Sequence, residues 1–217
     1  MIDKITPKAL RNLERQSLII DKTLELIAQN GIDGVSIAQI AKATQLGHGQ
    51  IYRIFQDKTD ILKYVIDQVT QKRLILFHLG NHNLQEKAKQ ISSVYKNDLS
   101  SHQIKLIYEL MKLNHHHPLF TYVQEAEKKM MDVGMQILRH KYPHANEDQI
   151  LALSEIVAIF TEGSLLRRLS GFSNQVQIEI LEQMFLSCFY ALEEMIDRTE
   201  QETTAKTSHK LKSECNE

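Results

Sequence analysis

The sequence predicts an all-α protein of about nine helices, with a three-helix helix-turn-helix domain at the N-terminus and a larger helical domain after it. Two observations favour this class. Of the 217 residues, 42% are hydrophobic and 24% charged, with only 8 Gly and 3 Pro, which is typical of a helical chain that buries a core. Apolar residues recur at helical spacing, and clusters of Gly, Pro, Asn and Asp separate the periodic stretches.

The first two helices are marked by their ends. Apolar residues at helical spacing predict helix one over residues 9–30, and Gly31 follows where a C-terminal cap is expected. Ser36 and Gln39 have the spacing of a capping box, which predicts a second helix over residues 37–43. Both helix ends are therefore predicted by local residue chemistry.

A tight turn separates the second helix from a short third one. Gly47 and Gly49 follow the turn, and residues 50–55 resume a helical register. Asp57 resembles an N-terminal cap, and apolar residues extend a fourth helix from there to about residue 80. Two short helices joined by a tight turn are typical of a helix-turn-helix.

Five more helices are predicted after residue 83. They span residues 84–96, 101–113, 119–141, 147–170 and 175–198. The predicted domains are a helix-turn-helix domain at 1–58, linked by helix four (58–80) to a larger domain at 59–198, and a tail at 199–217. The tail is rich in Glu, Thr, Lys and Ser with almost nothing apolar, so we expect it to be disordered.

Cysteine usage and hydropathy predict a cytoplasmic protein with no membrane segment and no cofactor. Cys188 and Cys215 cannot form a disulfide framework or a CxxC metal site. The N-terminus lacks the pattern of a signal peptide, and charged residues such as Glu155 and Glu162 interrupt the most apolar segment, residues 150–169.

Charge is distributed unevenly along the chain. The net charge is −1, but residues 1–83 carry 11 Lys and Arg against 8 Asp and Glu, so this part is positive and the remainder is negative. The asymmetry is modest. It permits nucleic-acid binding by the N-terminal part without requiring it, so the functional argument rests on the residue pattern.

The stretch from Ile20 to Val69 resembles the TetR family of transcriptional regulators. The family pattern runs helix, Gly, a small hydroxyl residue, Ile-Ala, a three-residue turn, and then Gly-x-Leu/Ile-Tyr-x-x-Phe-x-x-Lys. The matching positions here are Gly31, Ser36, Ile40, Ala41, Gly49, Ile51, Tyr52, Phe55 and Lys58. The resemblance covers roughly the first third of the chain. An ordinary three-helix corner with a buried Tyr is the alternative interpretation.

The resemblance implies a role for each matched position. The residues expected to lock the two short helices together are Ile40, Ala41, Ile51 and Phe55. The residues expected to read base edges, where Gln suits adenine and Arg suits guanine, are His48, Gln50 and Arg53. The residues expected to position the DNA backbone or to allow close approach are Ser36, Gly47, Gly49, Tyr52 and Lys58.

Three positions depart from the family pattern. Gln45 stands where the family usually has Gly, so a positive φ there costs about 1 kcal/mol. Gly47 replaces the usual Ser and is a weaker helix cap. Ile54 stands where an aromatic residue or His is common. These departures affect individual contacts and leave the motif intact.

The last two predicted helices are apolar on more than one face, so both sides must be covered. A homodimer interface is expected, and one that would let two recognition helices read a palindromic operator. Its predicted residues are Ile178, Leu181, Phe185, Phe189 and Leu192. Burial of the same residues within a monomer is the alternative.

Methionine and aromatic residues in the middle helices suggest a pocket for an apolar or amphipathic inducer, because Met adapts to bulky ligands. The candidate lining residues are Tyr95, Tyr108, Met111, Phe120, Met130, Met131, Met135 and Phe160. Glu162 is a candidate anchor for a cationic group, with pairing to Arg167 or Arg168 as the alternative. Any one of the lining candidates is as well explained by the core.

The predicted function is therefore a ligand-responsive, DNA-binding repressor, released by its inducer and controlling an efflux or catabolic gene. A helical enzyme is the first rival, but the sequence contains no HExxH, GxxxxGK[ST], GxSxG or paired ExxH motif. A protein-binding adaptor is the second. His115, His116 and His117 are consecutive and point in different directions, so a polar loop is favoured over a metal site.

Overall fold

The computed structural model describes residues 6–79, 83–93, 99–171 and 175–214, with side chains described outside 76–79 and 197–214. Within these residues the regular structure is helical throughout, which confirms the predicted fold class. The nine helices of the described chain are α1 (Pro7–Asn30), α2 (Ile37–Thr44), α3 (His48–Ile51), α4 (Lys58–Leu79), α5 (Leu84–Ser93), α6 (Ser101–Met111), α7 (Phe120–Lys141), α8 (Glu147–Leu169) and α9 (Ile178–Glu214).

Helix α1 begins and ends at residues suited to those positions. Thr6 accepts a hydrogen bond from the Ala9 backbone N–H at 3.3 Å, and Pro7 opens the helix. At the other end Gly31 has a φ of 73° and donates its N–H to the Ile27 carbonyl at 2.9 Å. A glycine is needed there because side chains disfavour this positive φ.

The tail is where the sequence prediction is wrong. Disorder was expected over residues 199–217, but α9 continues to Glu214, and only residues 215–217 lie outside the described chain. Low hydropathy predicted the disorder. The segment nevertheless contains Glu, Gln, Ala and Lys with neither Gly nor Pro, so good helix formers extend the preceding helix without a break.

The described chain forms two compact units, and they do not follow the boundary at residue 58 that the sequence predicted. Unit 1 comprises residues 1–73 and 99–128, and unit 2 comprises residues 74–98 and 129–217. Unit 1 gains the later segment because α6 packs against α1 and buries its apolar face, including Ile104 and Leu106. The sequence pattern did not show this long-range packing.

The core of unit 2 is formed by α5, α8 and α9. Its buried residues are Leu84, Ala88, Ile91, Val157 and Phe189. Phe160 packs against this cluster, with its ring 5.3 Å from that of Phe185 and 6.0 Å from that of Phe189. The phenyl rings therefore join α8 to α9 inside one unit.

Helix α8 is long and apolar enough, by length and composition alone, to cross a membrane. Part of this hydropathy belongs to the core, because Ile150, Leu153 and Val157 are buried. The helix also contains Glu155 and Glu162. Length and composition are thus weak grounds for a membrane span, and the apolar face of α8 is explained below as a protein contact.

Candidate functional site

The second helix of unit 1 is closed at its start by a capping box, as predicted. The Gln39 backbone N–H donates to Ser36 Oγ at 3.3 Å, and the Ser36 backbone N–H donates to Gln39 Oε1 at 2.8 Å. Two otherwise unsatisfied N–H groups are thereby paired. The Ser36 hydroxyl also donates to Gln39 Oε1 at 2.9 Å, so the predicted backbone-positioning hydroxyl already serves the helix end.

The third helix has a similar arrangement, in which Gln50 folds back on its own N-terminus. The Gly47 backbone N–H donates to Gln50 Oε1 at 2.9 Å, and Gln50 is half-buried. A bidentate contact with adenine uses the same oxygen. The base-reading role predicted for Gln50 therefore has to share or break the bond that caps α3.

The exposed side of α3 carries the other predicted contact residues. His48, Gly49, Tyr52 and Arg53 are exposed, with Tyr52 at 53% of its possible area. A Cβ built on Gly49 would meet nothing within 4 Å, so packing inside the protein does not require glycine there. Glycine at this position leaves room for another molecule to approach the helix.

The opposite side of the motif is buried as predicted. Ile40 and Ile51 are fully buried and Phe55 is 1% exposed, while Ala41 is half-buried. The Phe55 ring packs edge-on against Tyr64 of α4 at 5.2 Å between centroids. This core fixes α3 with its polar residues facing outward.

Lys58 and His117 both hold the turn between α1 and α2. Lys58 Nζ donates to the Asp33 carbonyl at 3.3 Å, and His117 Nε2 lies 3.1 Å from Asp33 Oδ1. The predicted phosphate contact of Lys58 stays a prediction. In the free protein its ammonium group already stabilises the turn that leads into α2.

The three consecutive histidines have structural contacts. His117 Nδ1 accepts the Leu119 backbone N–H at 3.1 Å, and the rings of His115 and His116 lie 3.8 Å apart. Among the residues that the structure describes, no three His, Cys, Asp or Glu side chains are grouped as a metal site would require.

Unit 2 contains a cavity of about 580 Å³, a volume that includes its opening to solvent. Its apolar lining residues are Leu84, Ile137, Leu138, Leu153, Val157 and Phe189. The remaining lining residues are Lys87, Gly134, Lys141, Tyr142 and Ser154. An apolar wall with a few polar groups at one place is typical of a small-molecule site.

The polar groups of the cavity come from three helices and the end of α7. Burial lowers the pKa of Lys87 to about 8, and the nearby positive charge of Lys141 lowers it further. Lys141 Nζ lies 3.3 Å from Glu193 Oε1, and the Tyr142 hydroxyl donates to the same oxygen at 2.7 Å. Glu193 thus holds both residues at the cavity wall.

The predicted ligand residues do not line this cavity. Met111 and Tyr108 are 48% and 46% exposed in unit 1, where Phe120 is half-buried. In unit 2, Met131 is exposed at the surface, Met130 is buried, and Met135, Phe160 and Glu162 are half-buried outside the lining. Tyr95 lies outside the described residues. The Met-rich pattern identified surface and core positions in place of the pocket.

The predicted dimer residues lie on the inner side of α9. Phe189 is 4% exposed, and Phe185 and Leu192 pack against the core cluster of unit 2. Ile178 and Leu181 are half-buried. The sequence showed that α9 is apolar on two faces, but it could not show which face its own unit covers.

The outer sides of α8 and α9 carry exposed apolar residues. Those of α9 recur at helical spacing at Ile180, Met184, Cys188, Ala191 and Met195. Those of α8 are Leu151, Ile159 and Leu166. We call these two rows the outer face. The sequence analysis named Ile180, Met184 and Ala191 only as a neighbouring row.

Residues 19–65 match the family described as bacterial regulatory proteins, tetR family, which confirms the resemblance predicted from the sequence. The transcriptional regulator SAR2658 of Staphylococcus aureus is 29% identical over 54% of this chain and 57% of its own. The transcriptional regulator AcrR of Shigella flexneri is 25% identical over 62% of this chain and 52% of its own. The chain thus spans about half the length of these relatives. Their names are those of regulators, in agreement with the prediction that the chain is not an enzyme.

Solved structures share the fold over a longer stretch. GusR of Salmonella enterica superposes with a TM-score of 0.66 and 15% identity, over 85% of this chain and 98% of its own. FadR of Bacillus subtilis, solved with stearoyl-CoA, gives a TM-score of 0.59 and 17% identity over 79% and 95%. At this identity the likeness concerns the fold alone.

Proposed function

From the premise that this chain carries the DNA-binding domain of the TetR family at residues 19–65, we propose that it is a transcriptional repressor that binds a palindromic operator as a homodimer. One observation carries the proposal. α3 presents His48, Tyr52 and Arg53 to solvent while Ile51 and Phe55 anchor its other side in the core. A short helix held in this way can enter a major groove.

The exposed groups suit DNA in two different ways. Arg53 can contact guanine with two hydrogen bonds, while Tyr52 can donate to a phosphate oxygen. The open space beside Gly49 supports close approach of the groove to the helix start. Arg53 is therefore assigned to sequence readout, and Tyr52 to positioning.

The outer face of α8 and α9 is the proposed dimer contact. Met184 and Ile180 are 63% and 51% exposed, and Ile159 of α8 is 57% exposed. Large apolar side chains exposed in a row are unfavourable in water and usually mark a protein contact. A second copy of the chain would cover them and would bring two α3 helices to one palindromic site.

Release by a small molecule is the last part of the proposal. The unit 2 cavity is its proposed site, and the stearoyl-CoA complex of the structurally similar FadR supports a ligand in this part of the fold. Helix α4 starts at Lys58 beside the helix-turn-helix and continues into the residues of unit 2. A ligand that favours one position of this helix needs a coupling of about 1 to 3 kcal/mol to weaken operator binding.

The DNA-binding proposal is tested with fragments selected from genomic DNA by the purified full chain. Arg53→Ala should relax preference at particular base pairs by about 1 to 3 kcal/mol, whereas Lys58→Ala should weaken all sequences alike. Lys128→Ala removes an exposed charge outside the helix-turn-helix and serves as the control. Affinity that does not fall with rising salt would favour the adaptor. The selected fragments also show whether efflux or catabolic genes are controlled.

The dimer proposal is tested by sedimentation. Met184→Glu combined with Ile180→Glu should yield a monomer, because a buried unpaired charge costs several kcal/mol. Met131→Glu places the same charge at an exposed methionine of α7 and should leave the dimer intact. Charges at Phe185 or Leu192, which belong to the core, should unfold unit 2. A dimer that survives the double substitution would place the contact elsewhere.

A further inference from the structure

The charges of the unit 2 cavity are all of one sign. Among its lining residues are two lysines, Lys87 of α5 and Lys141 of α7, and no aspartate or glutamate. Six of the lining residues are Leu, Ile, Val or Phe. The wall therefore combines a hydrocarbon-like surface with two ammonium groups.

The two ammonium groups are held close to each other. The charge of Lys141 lowers the pKa of Lys87, which is the effect of a like charge nearby. Lys141 is oriented by Glu193 at 3.3 Å, and Tyr142 donates to that carboxylate at 2.7 Å. Lys87 donates to Gln90 Oε1 at 3.3 Å. An arrangement that keeps two like charges together at an apolar wall is costly without an anion nearby.

We propose that this cavity binds an amphipathic anion, with a carboxylate head group at Lys87 and Lys141 and an alkyl chain against the apolar wall. The inference rests on the small-molecule part of the proposed function and specifies its ligand class. It also reverses the charge expected from the sequence, where Glu162 suggested a cationic group. A carboxylate would accept hydrogen bonds from both ammonium groups and offset their repulsion.

Isothermal titration of the full chain with three ten-carbon probes tests the charge preference. Decanoate, decanol and decyltrimethylammonium share a tail and differ in the charge of the head group. Decanoate should bind at least about tenfold more tightly than either of the others, because only it forms charge-assisted bonds to the lysines. Equal binding of the three, or no binding of decanoate, overturns the proposal.

Substitution at the lysine tests the site. Lys87→Met keeps a long apolar side chain and should weaken decanoate about tenfold or more, while leaving decanol unchanged. Lys89→Met removes an exposed charge two residues along α5 and should change neither. If Lys87→Met leaves decanoate affinity unchanged, the anion is held elsewhere and the assignment is wrong.

Operator binding, measured on the same preparations, separates this inference from the proposed function. Decanoate binding to a protein that fails to select DNA would support the cavity assignment and overturn the regulator. Selective DNA binding without decanoate binding would overturn the cavity assignment and leave the DNA-binding function standing. Selective DNA binding that decanoate weakens supports both.

Discussion

The helix-turn-helix of unit 1 and the cavity of unit 2 are shaped by polar contacts of very different range. In unit 1 the helices α2 and α3 have 8 and 4 residues, and side chains three positions apart close their N-termini. In unit 2 the bond from Tyr142 to Glu193 joins residues 51 positions apart in the chain. The DNA-reading helices therefore depend on their own short segment, whereas the cavity depends on four helices packing correctly.

This difference predicts how each region responds to substitution. Caps and turns fix a short segment whether or not distant helices move, because both partners belong to the same turn. A cavity wall changes whenever any contributing helix shifts. A regulator with this division can alter its ligand site without altering the surface that reads DNA.

Truncating the core phenylalanine of each unit should give the largest effect. Phe55 and Phe189 are 1% and 4% exposed, and replacing either by Ala should lower stability by about 3 to 5 kcal/mol. Amide hydrogen exchange should rise most in α2 to α4 for Phe55→Ala and most in α5, α8 and α9 for Phe189→Ala. An equal rise throughout the chain for both variants would show that the two units unfold together.

Replacing the cavity lysine should stabilise the free protein at neutral pH. The pKa of Lys87 is about 8 in the folded chain against an ordinary 10.5, so below pH 8 folding retains a charge that burial disfavours. Because water reaches this half-buried side chain, Lys87→Met should gain only about 1 to 2 kcal/mol at pH 7. Thermal unfolding of both proteins measures the difference.

The pH dependence of that gain has a defined sign. Between pH 8 and 10.5 the unfolded chain binds a proton that folded Lys87 has released, so the stability of the wild type rises with pH in this window. The advantage of Lys87→Met should therefore disappear by pH 10.5. Lys141, Tyr142 and Glu193 are present in both proteins and cancel to first order. A constant advantage would mean that packing, and not charge, is responsible.

Removing the α2 cap should have a smaller and more local effect. Ser36→Ala deletes the oxygen that accepts the Gln39 N–H, which costs about 1 kcal/mol. Urea unfolding should shift by this amount, and decanoate binding in unit 2 should be unchanged. Ser101→Ala, at an exposed position beside another helix start, provides the control because Ser100 is the capping residue there.

The same contrast explains what could be predicted from the sequence. Ser36 with Gln39 and Gly31 at the end of α1 were found because each signal lies within a few residues. Lys87 and Lys141 gave no such signal, since only the packing of α5 and α7 makes them neighbours. Helix positions were predicted well throughout the chain. The ligand cavity depended on tertiary contacts that periodicity does not report.

The two sides of α9 show a related restriction. Phe185 and Phe189 were predicted to meet a second copy, and they pack inside their own unit. Met184 lies one position from Phe185 and is 63% exposed. A helix that is apolar nearly all round gives two equivalent choices of inner face, and only the neighbouring helices decide between them.

Gln45 offers the finest test of local control in the DNA-reading unit. It follows α2 with φ 58° and ψ 25°, a left-handed conformation that a Gln side chain disfavours. Gln45→Gly should therefore stabilise the protein by a few tenths to about 1 kcal/mol, because glycine adopts this conformation freely but also gains entropy when unfolded. Gln45→Asn should fall between them, and Gln45→Ala should gain nothing, since alanine retains the Cβ that causes the strain. Urea midpoints at constant slope measure the series. If Ala stabilises as much as Gly, the exposed Gln side chain, and not the positive φ, is the source of the cost.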